Sequence, residues 1–267
     1  MRSEKMAFLG GGNMAEAIIS GLLAGGVSME KHLVAADISE ERRALMEEKY
    51  GIGATADNAE AVRGAEVVVL AVKPQQVTEV LAALKEVFTA KQLLVSICAG
   101  LPTSALEAQV AARVVRVMPN LPALVRRGVS AICGGTRATA RDLDLVEELF
   151  SAVGAVVRLP EHKINEVTAL SGSGPGYVFA FIEALEATGV AMGLAPAVAR
   201  KMAVETVRGA AELASETGED PAELRRRVSS KGGTTLAGLA AMEEKGFSAA
   251  VVAGMKAARD RAAELAR

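Results

Sequence analysis

Apolar residues in the first half of the chain fall in short unbroken runs, separated by stretches of helical periodicity. Met6 to Leu9 is the first run, and an amphipathic segment follows it through Leu23. His32 to Asp37 reads as a second strand, and Glu40 to Tyr50 as a charged helix started by Ser39. Ile52 to Thr55 reads as a short third strand. Val67 to Val72 is uninterrupted and apolar, as in a parallel strand covered on both faces. Pro74 opens a helix predicted through Val87. Further strands are expected at Leu93–Ile97, Val114–Met118, Val129–Cys133 and Ala155–Leu159. Such alternation predicts an α/β fold with a Rossmann-type, doubly wound parallel sheet.

From about Glu161 the strand pattern disappears. Ala, Glu, Leu and Arg dominate, with helical periodicity in Tyr177–Met192, Ala197–Thr217 and Phe247–Leu265. Gly193, Gly218 and Gly246 stand near the ends of these segments, where glycine follows helix C-termini. The boundary is therefore set at 160/161, with a Rossmann-type domain over 1–160 and an all-helical domain over 161–267. Long, Ala-rich helices suit close packing, and a domain this elongated suits a partner subunit.

Composition narrows the class. A length of 267 residues fits two domains, and 51% hydrophobic with 23% charged residues is the profile of a folded globular chain. A net charge of −2 argues against a protein that grips nucleic acid. No apolar run approaches the ~20 residues that span a bilayer. Met1 to Lys5 leads directly into the first strand, leaving no room for a signal peptide. Cys98 and Cys133 lie in apolar surroundings without CxxC spacing, which suits buried thiols in a reducing cytoplasm.

The turn Gly10-Gly11-Gly12-Asn13-Met14-Ala15 lies between the first strand and helix, where a GxGxxA pattern holds a dinucleotide pyrophosphate. Gly10 permits the tight turn, Gly12 lets backbone N–H groups approach the phosphates, and Ala15 lets helix and strand pack closely. The helix N-terminus faces the anion. Asp37, ending the second strand, is placed to contact the adenosine ribose, which favours NADH. Arg42 and Arg43 stand just inside the next helix and can attract a 2′-phosphate, so NADH and NADPH both remain open. Ala71-Val72-Lys73-Pro74, Cys98-Ala99-Gly100 and Met118-Pro119-Asn120-Leu121-Pro122 follow successive strands and are expected to wall the nicotinamide.

Two loops mark the helical part. Ser171-Gly172-Ser173-Gly174-Pro175-Gly176 precedes a long helix but does not match a GxSxG nucleophile elbow. Ser229-Ser230-Lys231-Gly232-Gly233-Thr234-Thr235 also leads into a helix and offers N–H groups and hydroxyls to a carboxylate. Together with Gly10–Ala15, Ala71–Pro74, Val117–Asn120 and Leu170–Pro175, this loop resembles the pyrroline-5-carboxylate reductases, in order from Met6 to about Leu265.

The resemblance implies reduction of the cyclic imine 1-pyrroline-5-carboxylate to L-proline with NADPH or NADH, the last step of proline synthesis. It implies a Rossmann domain followed by a helical domain that interlocks between two subunits, with dimers that often assemble into decamers. It places the active site between one subunit's cofactor domain and helical segments that include the partner's. Ser230, Gly233 and Thr234 would hold the substrate carboxylate, and Thr235 would act catalytically with its hydroxyl on the ring nitrogen. Glu161 would lie close to the ligands. Gly10, Gly11, Gly12, Asn13, Met14, Asp37, Asn58, Ala71, Val72, Lys73, Pro74 and Ala99 would hold the cofactor. Lys231 stands where the family usually has proline, and Leu121 replaces its usual threonine.

The chemistry fits what the chain lacks. Reducing a carbonyl usually calls for a strong general acid, whereas a cyclic imine can bind already protonated. His32 and His162 are read as surface or linker residues, and no cluster has metal-ligand spacing. A β-hydroxyacid dehydrogenase would need a catalytic lysine after its own Gly-rich loop, and Lys201 is in the wrong context. A non-catalytic dinucleotide sensor is the remaining alternative, though it has no need of a carboxylate pocket.

Overall fold

The computed structural model describes residues 2–265. Its strands are β1 (Met6–Leu9), β2 (Leu33–Ala36), β3 (Gly53–Thr55), β4 (Val67–Leu70), β5 (Leu93–Ser96), β6 (Arg113–Met118), β7 (Gly128–Gly134) and β8 (Gly154–Arg158). They form one sheet in the order β3-β2-β1-β4-β5-β6-β7-β8. All four residues of β1, β4 and β5 are buried, as unbroken apolar runs require at the centre of a two-sided sheet.

Both faces are covered by helices. One face packs Met6, Phe8, Val67 and Val69 against Ile18, Ile19 and Leu22 of α1 (Asn13–Ala24) and Met46 of α2 (Glu40–Tyr50). Further along, it meets Val146, Leu149 and Phe150 of α6 (Ala140–Ser151). The other face packs Ala7, Leu9, Val68 and Leu70 against α3 (Asn58–Val62), α4 (Val77–Ala83) and α5 (Thr103–Glu107). Alternate residues of one strand thus serve two cores. The chain reverses its winding between β1 and β4, leaving a crevice beyond the carboxyl ends of the strands.

One pair departs from the expected parallel sheet. β7 runs antiparallel to β6, with Val115 opposite Gly134 and Met118 opposite Ala131. The connection holds only a short 3-10 segment, Leu121–Val125, and a parallel return would need a longer crossover. α6 then supplies such a crossover, so β8 is parallel to β7. Other differences are local. Leu33, not His32, begins β2, and Asp37 lies just past its end. Pro74–Gln76 is a 3-10 turn, and the helix expected through Val87 ends at Ala83.

The remaining helices are α7 (Ile164–Val167), α8 (Gly174–Ala191), α9 (Pro196–Thr217), α10 (Pro221–Arg227), α11 (Thr234–Glu244) and α12 (Phe247–Leu265). A π-helical turn, Thr168–Gly172, precedes α8. Two compact units result: one contains residues up to Ser173 together with the end of α12 from Ala258, and the other spans Gly174–Ala257. The compact boundary therefore lies at 173/174, because Ile164 and Ala169 are buried within the first unit.

The second unit has almost no core of its own. Its buried hydrophobic residues are Ala199 and Ala203, both on α9. Tyr177, Phe179 and Phe181 on α8, Met202 on α9 and Val252 on α12 remain exposed, Phe179 at 54% and Met202 at 57%. This amount of exposed apolar surface on one helical unit is the signature of an interaction face.

The large side chain Phe150 is 1% exposed and joins α6 to the first face of the sheet. Phe150→Ala is expected to destabilise the first unit by ~3–5 kcal/mol through lost burial and a residual cavity. Denaturant unfolding followed by circular dichroism would measure the loss.

Candidate functional site

A cavity of about 650 Å³ opens at the carboxyl ends of β1, β2, β4, β5 and β6. Its floor is the β1–α1 turn. Gly10 has φ of +97°, and a Cβ there would come within 2.8 Å of the Ala71 carbonyl oxygen. A side chain is excluded on both grounds. Gly12 differs, with an ordinary φ of −69° and open space where its Cβ would project. Its missing side chain leaves the cavity clear for close approach to the backbone. Gly12 also N-caps α1 without any side-chain hydrogen bond, so the N–H groups of the first turn face outward for an anion.

Asp37 closes the cavity at the end of β2. Its Oδ2 accepts from the Gly11 N–H at 2.7 Å, and its Oδ1 accepts from the Ser39 N–H at 2.8 Å. Each oxygen retains a further lone pair, enough to accept a pair of hydroxyls. Ser39 caps α2 through the Arg42 N–H at 3.3 Å, so Asp37 is not needed as the cap. Arg42 is tied down: Nε donates to the Gly11 carbonyl at 2.6 Å and Nη2 to Glu16 at 2.8 Å. Arg43 spans the carbonyls of Asp37 and Ile38 through Nη1, at 2.8 and 3.0 Å.

Of the residues expected to hold a cofactor, Gly10, Gly12, Asn13, Met14, Asp37, Asn58, Ala71, Val72, Lys73, Pro74 and Ala99 all line this cavity. Gly11 does not; it acts through the N–H it gives Asp37. Cys98, Met118 and Pro119 complete the expected wall, while Gly100 and Asn120 to Pro122 stand outside the lining. Asn120 instead ties the chain internally, donating to the Ser171 carbonyl at 3.0 Å and accepting from the Val129 N–H at 2.8 Å. Ile38, Gln76, Val80 and Ile97 also line the cavity and were not anticipated. Ile38, 85% exposed, directly follows Asp37, and that adjacency in the sequence is the signal that could have found it.

Glu161 accepts three hydrogen bonds. Oε1 accepts from the Thr103 N–H at 2.7 Å and Arg116 Nη1 at 3.1 Å, and Oε2 accepts from the Thr103 hydroxyl at 2.6 Å. It supplies the cap that Pro102 cannot give α5, and thereby secures the segment leading away from Ala99. Both cysteines are free and buried, and burial pushes each thiol up to about 11. They are inert packing groups.

On the second unit, the loop before α11 ends in Gly232, with φ of +75°, and Gly233, the N-cap. A Cβ on Gly233 would fall 2.5 Å from the Ser230 hydroxyl, so the glycine makes room for that hydroxyl at the helix start. No side chain caps α11, which leaves the first-turn N–H groups of Thr234 and Thr235 directed outward. Ser230 and Thr234 are exposed, and Thr235 is half-buried. Loop and helix start thus gather N–H and hydroxyl donors with no acidic side chain among residues 229 to 235.

A doubly wound sheet with an open glycine turn, a carboxylate at the end of β2 and a separate donor-rich helical unit defines a dinucleotide-dependent oxidoreductase. Residues 5–100 match the family model described as NADP oxidoreductase coenzyme F420-dependent, and residues 161–265 match pyrroline-5-carboxylate reductase dimerisation. The pyrroline-5-carboxylate reductase of Methanosarcina acetivorans is 40% identical over 100% of both chains. That of Pseudomonas aeruginosa is 42% identical over 100% of this chain and 98% of its own. The Coxiella burnetii enzyme structure superposes with a TM-score of 0.94 at 35% identity, covering 100% of both chains. A Plasmodium falciparum pyrroline carboxylate reductase with NADP bound gives 0.90 at 29% identity, again over 100% of both. The chain belongs to the pyrroline-5-carboxylate reductase family. Its helical segment is a homo-oligomerisation element.

Because the Gly12 Cβ position is open, Gly12→Val is expected to leave the fold intact and abolish dinucleotide binding. Thermal unfolding and NADH titration of the same sample would separate the two effects. Unchanged NADH affinity would show that no ligand approaches this turn.

Proposed function

We propose that this protein reduces 1-pyrroline-5-carboxylate to L-proline with NADPH or NADH, completing proline synthesis. The observation that carries the reading is the combination, in one chain, of an open glycine turn beside Asp37 and an uncapped, hydroxyl-rich helix start at Gly233–Thr235. The first binds a dinucleotide, and the second suits a small carboxylate. Functionally the division falls at 160/161, with the nucleotide segment before it and the substrate and self-association segment after it.

The cavity fits a dinucleotide: the Asn13 and Met14 N–H groups and Lys73 would hold the pyrophosphate, Asp37 and Asn58 the adenosine ribose, and Ala71, Val72, Pro74 and Ala99 would form the remaining walls. When bound, the reduced nicotinamide supplies a hydride to the imine carbon. The protein's own part is to bind and orient. The N–H groups of Gly233 and Thr234, with the Ser230 hydroxyl, hold the carboxylate at the α11 N-terminus, whose dipole favours an anion. The Thr235 hydroxyl accepts from the protonated ring nitrogen and fixes the ring face; the same nitrogen keeps its proton as the amine forms. Glu161 serves the ligands indirectly, holding Thr103 and Arg116 so that the β5–α5 connection keeps its place. No histidine is required, because the imine arrives protonated.

The exposed apolar side chains of α8, α9 and α12 are buried in an interlocked homodimer, and such dimers assemble further into decamers. Covering Phe179, Met202 and Val252 supplies the burial that the second unit lacks alone.

NADH and NADPH oxidation with pyrroline-5-carboxylate, with proline identified as product, tests the activity. Dinucleotide binding without turnover of the imine would favour the sensor. Thr235→Val is expected to lower turnover at least tenfold, ~1.4 kcal/mol of transition-state stabilisation, with NADH affinity unchanged. Wild-type turnover in that variant would reduce Thr235 to a helix-start residue.

A further inference from the structure

Two opposed features meet at the adenosine end of the cavity. A carboxylate at the end of the second strand favours the ribose hydroxyls of NADH, whereas a nearby arginine accommodates the 2′-phosphate of NADPH. This chain has both, in Asp37 and Arg42, so the outcome depends on whether Arg42 is free to turn towards the ribose.

It is not free. Glu16, on the first turn of α1, accepts from Arg42 Nη2 at 2.8 Å through Oε2. Its Oε1 accepts from Lys49 Nζ at 3.0 Å and from the Tyr50 hydroxyl at 2.8 Å. Only 16% of the Glu16 side chain is exposed, and 25% of Arg42. Burial alone would push the Glu16 carboxyl up, but its bonds to Arg42, Lys49 and Tyr50 prevail and hold it down to about 2. It is therefore ionised wherever the protein works. With Nη2 on Glu16 and Nε on the Gly11 carbonyl, Arg42 is bound on two sides. Arg43 has Nη1 on two carbonyls, and Glu40 and Glu41 add negative charge to the same helix turn.

We propose that Glu16 sets the cofactor preference of this enzyme, holding Arg42 against the Gly11 carbonyl and away from the 2′ position so that NADH is favoured over NADPH. Glu16 is a positioning residue that acts through Arg42 on the glycine turn and the ribose end together. The proposal rests on the cavity being the dinucleotide site.

Calorimetric titration of NADH and NADPH into the full-length protein tests it without the imine substrate. The wild type is expected to bind NADH at least tenfold more tightly than NADPH. Glu16→Ala is expected to cut that ratio at least tenfold by tightening NADPH, with the gain lost in Glu16→Ala/Arg42→Ala and weakened by added salt. Glu16→Gln keeps the size of the side chain and removes its charge. It serves if the alanine variant unfolds early, and should shift the ratio in the same direction. Equal weakening of both nucleotides by Glu16→Ala would overturn the proposal, leaving Glu16 as a support of the turn. A gain that survives in the double variant would overturn it too, by pointing to Arg43. A wild type that binds neither nucleotide would instead remove the cofactor site itself.

Discussion

Gly11 is held on both sides, and the nucleotide end of the molecule depends on it. Its N–H is bound by the Asp37 carboxylate and its carbonyl by the Arg42 guanidinium, at 2.7 and 2.6 Å. These two bonds join the β1–α1 turn to the end of β2 and to the start of α2. The turn is thereby kept rigid while its neighbour Gly12 faces open space. A preorganised backbone of this kind pays little ordering entropy when a phosphate arrives. The same arrangement uses up the groups that would otherwise act elsewhere: Asp37 aims its remaining lone pairs outward, and Arg42 is committed inward.

The helical unit solves the opposite problem. It buries almost nothing but Ala199 and Ala203, and it displays aromatic and aliphatic side chains on three helices. A segment with so little core gains its stability from association, so the folding of this part and the assembly of the protein are linked by mass action. The donor loop before α11 belongs to this same unit. The cavity at the carboxyl ends of the strands is lined wholly from the first unit.

Much of this was legible in the chain. The unbroken runs Met6–Leu9 and Val67–Val72 identified central strands because a strand buried on both faces has no polar side to show. Gly10 and Gly12 identified the turn, and eleven of the twelve expected cofactor residues line one cavity. The short helices α3 and α5 were not legible, because five residues give too little periodicity to read. The antiparallel β7 was missed for another reason: direction is set by the length of a connection, and strand composition carries no trace of it.

Local sequence by itself determined which segments are strands or helices, where the tight glycine turn lies and which loop carries hydroxyls, since each follows from periodicity, composition or the conformational range of glycine. Tertiary structure alone decided how those groups are used. Glu16 and Arg42 are far apart along the chain, and neither residue's surroundings reveal that one immobilises the other. Likewise nothing in the sequence around Glu161 shows that its carboxylate accepts from Thr103 and Arg116. A charged side chain advertises its charge in the sequence, but its partner is chosen by distance, and distance exists only once the chain has folded.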